Sequence, residues 1–181
     1  VYHGKEFLGQ FTIPLYGNHM VLNSLACIIV CIYLGVNTQD IQRLFSNFKN
    51  AARRFSLKTF GDIVTIDDYA HHPTEIKVTL EAARLKYPDK KLIAVFKPNT
   101  YSRTAAFTKE FADSLKIADK VFMTEIDCNR EKQEDYPGIT SSLVLKDIPD
   151  GEIIGEDDVD KLLKYQNAVI CFMSCASISH I

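Results

Sequence analysis

The stretch that decides the fold reads Ile63-Val64-Thr65-Ile66-Asp67-Asp68-Tyr69-Ala70-His71-His72-Pro73-Thr74-Glu75. Its first four residues are β-branched and mostly apolar, which predicts a β-strand. Pro73 is favoured at the first position of a helix, and Thr74 and Glu75 suit a first helical turn, so a helix should follow. In open α/β sheets, ligands bind in the crevice at such a connection. A site is therefore expected here, although the same pattern fits Asp67 and His72 merely capping the helix.

Beyond Phe55, strand patterns and helix patterns alternate along the chain. A strand pair is expected around Gly61, and the helix that starts at Pro73 should end at Pro88. The next predicted elements are strand 91–96, helix 104–117, strand 120–126, helix 139–146, strand 152–154, helix 157–165 and strand 168–173. This order predicts an α/β fold with a Rossmann-like, mostly parallel sheet and flanking helices. Because no G-x-G-x-x-G motif is present, a dinucleotide cofactor is unsupported.

The first fifty residues predict a smaller piece, made of a hairpin over residues 1–16 and two helices. Asn18 can cap a helix over about 19–34, which is apolar nearly all round and should be buried on most sides. Thr38 can cap a second helix, whose apolar face is formed by Ile41, Leu44, Phe45 and Phe48. A domain break is expected near residues 50–54, so this piece should be the end of a larger domain.

Composition and charge argue against several classes of protein. Of the 181 residues, 46% are hydrophobic and the formal net charge is -2, so a core can form and no basic nucleic-acid surface is indicated. The apolar segment 20–36 is at the short limit for a membrane span, contains Asn23 and Ser24, and lacks flanking basic residues. A transmembrane helix is therefore not expected. The chain does not begin with Met, which suggests an excised fragment.

The cysteines are odd in number and lie mostly in apolar runs: Cys27, Cys31, Cys128, Cys171 and Cys175. This pattern favours buried thiols in a reducing cytosol over a disulfide framework. Cys27 and Cys31 would share a helix face, so a metal site with Cys171 and Cys175 is conceivable. Structural zinc pairs usually have tighter spacing, which disfavours such a site.

Polar clusters also fall at the ends of other predicted elements. His19 and Asn23 share one helix face and could contact a base edge, or they could be a helix cap and a hydrogen-bonded core amide. Arg54 and Arg103 offer guanidinium groups that suit phosphate or carboxylate, unless they are solvated surface residues.

The central stretch offers acidic and imidazole groups to a ligand. Asp67 and Asp68 could bind Mg²⁺ or ribose hydroxyls, and His71 with His72 could orient a carboxylate. An adjacent histidine pair is a poor zinc motif, which argues against metalloprotease chemistry.

Taken together, these clusters resemble one family in order and spacing over nearly all 181 residues. The matching segments are Gly17-Asn18-His19-Met20-Val21-Leu22-Asn23, Arg53-Arg54-Phe55, Asp67 to Glu75, Phe96 to Thr104 and Arg130-Glu131-Lys132. They resemble the UDP-N-acetylmuramate–L-alanine ligases of the Mur ligase family. Several motifs in one order are far more specific than any one of them alone.

The resemblance implies three domains, of which residues 1–52 would be the C-terminal part of the central ATPase domain and residues 53–181 the Rossmann-like C-terminal domain. ATP with Mg²⁺ would phosphorylate the lactyl carboxylate of UDP-N-acetylmuramate, and L-alanine would attack the acyl phosphate to form an amide. Domain closure would keep water from this intermediate. The implied setting is cytoplasmic synthesis of peptidoglycan precursors. The fragment alone would be inactive, and the other domains of its own chain would be its partners.

The resemblance also implies roles for individual residues. Nucleotide contacts would come from His19, Asn23, Arg54 and Asp68, with Asp68 at the ribose. Tyr69, His72 and Arg103 would bind substrate, and His71 and Arg103 would be catalytic, with Arg103 offsetting negative charge that develops on the reacting carboxylate. Ligands for Mg²⁺ would lie mainly outside this chain.

Three departures from the family pattern fall at expected ligand positions. Met20 replaces an asparagine, Asn99 replaces a histidine, and Ser174-Cys175-Ala176-Ser177-Ile178 replaces a Gly-Ala-Gly-Asp-Ile ending. These differences bear on which amino acid is added. Two alternatives therefore stay open: a related ligase that adds a different amino acid or a peptide, and a degenerate domain that only binds a nucleotide or a partner.

Overall fold

The chain forms two compact units, residues 1–51 (unit 1) and 52–181 (unit 2), in a computed structural model that describes residues 1–155 and 157–175. Unit 1 contains two short antiparallel strands, β1 (Tyr2–His3) and β2 (Glu6–Phe7), followed by helices α1 (Asn18–Tyr33) and α2 (Thr38–Ser46). The predicted hairpin is thus shorter than residues 1–16, with its turn at Gly4 in the left-handed region.

Both predicted helix caps in unit 1 are wrong by one residue. Gly17, not Asn18, is the N-cap of α1, and no side chain caps that end. Asn37, not Thr38, caps α2, because its side-chain oxygen accepts a 2.8 Å hydrogen bond from the backbone N–H of Asp40. Capping depends on the backbone angles at the boundary, which composition alone does not fix.

The prediction that α1 is buried on most sides is also wrong. Ser24 and Ile28 are its buried residues, whereas Leu22 and Tyr33 are 67% and 88% exposed. In α2, Ile41 is buried and Leu44 is exposed, and Phe48, which lies just beyond the end of the helix, is exposed as well. Two helices and a four-residue sheet offer too little surface to cover an apolar helix all round.

Unit 2 contains the predicted α/β fold, which is confirmed. Its elements are β3 (Ser56–Phe60), β4 (Ile63–Asp68), α3 (Pro73–Lys86), β5 (Lys91–Phe96), α4 (Tyr101–Ala106), α5 (Thr108–Leu115), β6 (Lys120–Met123), α6 (Ser141–Leu145), β7 (Glu152–Ile153), α7 (Asp160–Leu163) and β8 (Ala168–Met173). The strands form one sheet in the order β3-β4-β8-β5-β6-β7, in which β3 pairs antiparallel with β4 and all other neighbours are parallel.

Several predicted elements are shorter than their sequence patterns. The single helix expected over 104–117 is instead α4 and α5, divided at Phe107, whose φ of -126° leaves the helical region. The expected strand 120–126 ends at Met123. The helices expected over 139–146 and 157–165 are the shorter helices α6 and α7. Hydrophobic periodicity predicts that an element exists more reliably than it predicts where the element begins and ends, because local hydrogen bonds determine the boundaries.

The sheet has an apolar layer on each face. On one face α3, α5 and α6 cover alternate strand residues, including Ile66, Phe96 and Cys171. On the other, α7 packs with Ile93, Val95, Phe122 and Ile170. Residues Leu92 to Phe96 of β5 are all buried, so the continuous apolar run marks a strand covered on both faces, as predicted.

The cysteines are less buried than expected, although none of the five forms a disulfide. Cys171 is buried, which raises the pKa of its thiol well above the usual range, whereas Cys27 is exposed. Across residues 1–155 and 157–175, no helix combines the length and apolar character required to cross a membrane.

Candidate active site at the carboxyl edge of the sheet

The carboxyl ends of four parallel strands lie side by side in unit 2. Asp68 at the end of β4 pairs with Met173 of β8, which also pairs with Phe96 of β5, and Phe96 pairs with Met123 of β6. The segments that follow these strands therefore emerge along one edge, which is where parallel α/β sheets bind ligands.

The connection from β4 to α3 is a capping box. His72 is the N-cap, and its Nδ1 accepts a 3.3 Å hydrogen bond from the backbone N–H of Thr74. Glu75 Oε2 accepts hydrogen bonds from the backbone N–H groups of His71 (2.9 Å) and His72 (3.1 Å). His72 thus caps the helix, as the simpler interpretation of the sequence proposed, and its ring packs edge-on against Phe107.

His71 is held differently from its neighbour. Its Nδ1 lies 2.8 Å from the carbonyl oxygen of Tyr69 and 3.4 Å from Glu75 Oε2, so Nδ1 carries the proton that this geometry requires. Nε2 is then the nitrogen through which a neutral His71 would accept a proton or a hydrogen bond. The arrangement presents a defined imidazole tautomer at the sheet edge.

Asp68 serves the fold with both carboxylate oxygens. It is 8% exposed, and it accepts 2.8 Å hydrogen bonds from the backbone N–H groups of Phe55 and Ala70. Burial raises the pKa of Asp68, while those two hydrogen bonds and the charge of Arg54 oppose the increase. Asp68 connects the start of β3 to the β4–α3 turn, and contact with a ribose stays a prediction.

Arg53 has a larger role in the structure than its sequence indicated. Its φ is +57°, and its guanidinium group donates to Asp67 Oδ1 (3.3 Å), to the carbonyl of Ser174 (2.6 Å) and to the carbonyl of Cys175 (3.3 Å). Asp67 is therefore an ion-pair partner of Arg53 rather than a helix cap. The Arg-Arg pair was visible in the sequence, but the pair by itself does not show which of the two arginines makes these contacts.

Arg54 is exposed, and its guanidinium carbon lies 5.3 Å from the centre of the Tyr69 ring. The guanidinium carbon of Arg53 lies 5.4 Å from the same ring, whose edge also meets His71 at 5.3 Å between centroids. The guanidinium groups of Arg53 and Arg54 thus both lie close to the Tyr69 ring, and their positive charge favours an anionic ligand nearby.

Arg103 reaches this cluster from the next connection along the sheet. Thr100 is the N-cap of α4 and accepts a hydrogen bond from the Arg103 backbone N–H, and Arg103 Nη1 donates to the carbonyl of His71 at 3.4 Å. The structure therefore brings together Tyr69, His71, His72 and Arg103. A guanidinium group and an imidazole group at the same edge can bind a carboxylate and offset negative charge that develops on its oxygens.

Two acidic residues, for which the sequence patterns indicated no role, support this edge of the sheet. Lys97, which directly follows β5, pairs with Asp127 at 2.7 Å, and Glu131 accepts hydrogen bonds from the backbone N–H and the hydroxyl of Ser102. Glu131 lies in one of the segments that resemble the ligase family. Its contact with Ser102 could not be predicted from the sequence, because the two residues are 29 positions apart. Ser174 is buried, and residues 176–178 of the departing segment lie outside the described residues.

In unit 1, His19 and Asn23 lie one turn apart on α1. Asn23 is exposed, and its amide nitrogen lies 3.9 Å from the sulfur of Met20. His19 does not cap the helix, and its Nδ1 is buried without a hydrogen-bond partner in the described part of the chain. The interpretation as a cap plus a core amide is therefore wrong, and both side chains retain unused hydrogen-bonding capacity.

A metal site is not evident in the part of the chain that the structure describes. With residue 156 and residues 176–181 set aside, no group of three or more His, Cys, Asp or Glu side chains could hold a metal ion.

Comparison with known proteins identifies the family. Residues 53–173 match the model of the Mur ligase, glutamate ligase domain. The chain is 48% identical over 180 residues to the UDP-N-acetylmuramate--L-alanine ligase of Levilactobacillus brevis and 50% identical over 179 residues to that of Lactiplantibacillus plantarum. Each match covers 98% of this chain and 40% of the relative, so the chain spans less than half the length of these ligases.

A solved structure extends the match to three dimensions. The UDP-N-acetylmuramate-alanine ligase from Thermotoga maritima superposes with a TM-score of 0.76 at 27% identity, covering 97% of this chain and 38% of that protein. The chain therefore belongs to the Mur ligase family.

Proposed function

We propose that the chain is the C-terminal part of an ATP-dependent ligase that joins L-alanine to the lactyl carboxylate of UDP-N-acetylmuramate. The observation that carries this proposal is identity of 48–50% to ligases of that name across both units of the chain. Residues 1–52 would then complete a central ATPase domain, and residues 53–181 would form the C-terminal domain. The product would enter peptidoglycan precursor synthesis in the cytoplasm.

The residues at the sheet edge of unit 2 are suited to amide-bond formation. A carboxylate is a poor electrophile, and ATP would supply the phosphoryl group that activates it. Arg103 would bind the substrate and offset negative charge that develops on the oxygens of the reacting carboxylate, because its guanidinium group lies at the edge where His71 is also held. Tyr69 and His72 would bind the substrate, and His71 Nε2 would accept a hydrogen bond or a proton.

Nucleotide contacts are proposed for His19, Asn23, Arg54 and Asp68. The exposed amide of Asn23 and the exposed guanidinium group of Arg54 fit hydrogen bonding to a base and pairing with a phosphate. Asp68 fits less readily, because a ribose hydroxyl would have to use the remaining lone pairs of a buried carboxylate. The described residues offer no cluster for Mg²⁺, so its ligands are proposed to lie in other parts of the ligase.

The test is phosphate release by the complete ligase with ATP, Mg²⁺ and UDP-N-acetylmuramate, comparing L-alanine, L-serine, glycine and D-glutamate. Release that depends on L-alanine is expected. Release with another amine would reassign the substrate to a related ligase, and no release from folded protein would favour a degenerate binding domain. Residues 1–181 alone should release no phosphate in the same assay.

A further inference from the structure

The first turn of α4 is held by a residue from a different loop. Glu131 lies in the loop 124–140 between β6 and α6. Its Oε2 accepts a 3.0 Å hydrogen bond from the Ser102 backbone N–H, and its Oε1 accepts one from Ser102 Oγ. The first N–H groups of a helix have no partner within the helix, so this carboxylate serves donors that α4 cannot satisfy itself.

The protonation behaviour of Glu131 agrees with this geometry. The Ser102 hydroxyl and backbone hydrogen bonds lower the pKa of Glu131, with smaller contributions from the Tyr101 backbone and the charge of Arg103. The carboxylate is therefore ionised at neutral pH, which is the form that accepts these bonds.

Two other contacts join the same loop to the segment that begins α4. The rings of Tyr101 and Tyr136 stack, with centroids 6.1 Å apart and planes inclined by 14°. Asp127 pairs with Lys97, and its backbone N–H donates to the carbonyl of Pro98. The loop thus contacts the chain before α4 and in its first turn.

The contacts between loop 124–140 and the first turn of α4 determine the position of Arg103. It follows Ser102 directly, its backbone N–H donates to Thr100, and its guanidinium group donates to the His71 carbonyl. Because α4 has only six residues, it is too short to be stable by itself, and its orientation depends on contacts at its ends.

We propose that Glu131 is a positioning residue that fixes the first turn of α4 and thereby directs Arg103 toward the reacting carboxylate. This inference rests on the proposed ligase function and deepens it. Glu131 does not touch the substrate; it acts through Ser102 and the helix that carries Arg103. A displacement of about 1 Å at a reacting group can lower a rate about 100-fold, so a small shift of α4 is enough to matter.

The experiment uses the complete ligase and measures kcat and KM for each substrate in wild type, Glu131→Ala and Glu131→Gln. Glu134→Gln is the control, because Glu134 is exposed in the same loop. Glu131→Ala should lower kcat/KM at least tenfold, Glu131→Gln should lower it less, and Glu134→Gln should leave it within twofold. Hydrogen exchange over residues 100–107 should accelerate in the Glu131 variants alone.

The decisive measurement places Glu131→Ala in an Arg103→Ala background. If Glu131 acts through Arg103, the second substitution should then change the residual rate less than twofold. An equal loss in both backgrounds, or unchanged activity in Glu131→Ala, would overturn the inference. If Glu131→Ala does not fold, the same cycle is measured with Glu131→Gln.

The two levels of proposal fail in different ways. A folded wild-type protein that releases no phosphate with any amine would remove the ligase function and this inference with it. An active wild type with additive variants would remove only the positioning role of Glu131.

Discussion

In unit 2, apolar helix residues pack against a six-stranded sheet, whereas in unit 1 a helix of higher apolar content leaves most of its surface exposed. Helix α3 buries Ile76, Leu80 and Ala83 against that sheet, while α1 buries Ser24 and Ile28. The difference teaches that an apolar pattern predicts a helix, but burial also requires a surface that can cover it.

The same contrast holds for the polar residues of the proposed site. In unit 2, Asp68, His71 and Arg103 are joined to the backbone by hydrogen bonds, which fixes their positions before any ligand binds. In unit 1, Asn23 contacts a thioether and His19 Nδ1 has no partner in the described part of the chain. Pre-organised groups are expected to affect the reaction rate, and unpartnered ones to affect binding.

The largest effect is expected for Arg103→Ala in the complete ligase. Loss of a charge-stabilising group should lower kcat about 10² to 10³-fold while the fold persists. Phosphate release, with circular dichroism as the check on folding, measures this. The matched control is Arg43→Ala, which removes an exposed arginine of α2 and should leave kcat unchanged. Unchanged turnover in Arg103→Ala would exclude the residue from the mechanism.

A matched leucine pair tests the contrast in burial between the units. Leu80 of α3 is fully buried and Leu22 of α1 is 67% exposed. In residues 1–181, Leu80→Ala should lower the free energy of unfolding by about 2–5 kcal/mol, because a cavity opens in the core. Leu22→Ala should change it by less than about 0.5 kcal/mol. Urea unfolding measures both, and equal losses would contradict the exposed position of Leu22.

The acid dependence of stability should have opposite signs at two carboxylates of unit 2. The folded-state pKa of Asp68 is raised, so its favourable contribution is present below its unfolded pKa and is lost as pH rises through the folded value. The folded-state pKa of Glu131 is lowered, so its contribution is present above its unfolded pKa and is lost as pH falls.

Urea unfolding between pH 3 and pH 7 measures this difference. The destabilisation caused by Asp68→Asn should decrease with rising pH, whereas that caused by Glu131→Gln should increase. If the destabilisation changed with pH in the same direction for both variants, the two carboxylates would not have the opposite pKa shifts that the structure indicates.

The smallest effect is expected in unit 1. Met20→Asn in the complete ligase should tighten ATP binding several-fold, because a thioether cannot hydrogen-bond an adenine edge as an amide can. The Kd for ATP measures this, and Val21→Asn, on an exposed neighbouring position, is the control. Equal or weaker binding in Met20→Asn would show that another group already compensates.

Much of the fold could be predicted from particular residues. Pro73 and Glu75 marked the start of α3, the run from Leu92 to Phe96 marked a strand buried on both faces, and the strand-helix alternation predicted the parallel sheet. The division of helix 104–117 at Phe107 could not be predicted, because its cause is a backbone angle and not a break in the apolar pattern.

For the candidate site, the sequence predicted which segments would form it but did not predict which distant residues these segments would contact. The stretch from Asp67 to Glu75 and the segment that holds Arg103 were both expected at strand ends. The Arg53 contacts to Ser174 and Cys175, and the Glu131 contact to Ser102, join residues far apart in sequence. Such pairs leave no local pattern, because each partner alone is an ordinary polar residue.

The sequence by itself determined the α/β class, the strand-to-helix connections that bear polar residues, and the resemblance to one ligase family, because periodicity, capping residues and ordered motifs are local properties of the chain. Only the tertiary structure decided which arginine turns inward, which carboxylates serve the fold and which helix faces are covered. Those outcomes depend on the distances and solvent exposure that arise once remote segments pack together.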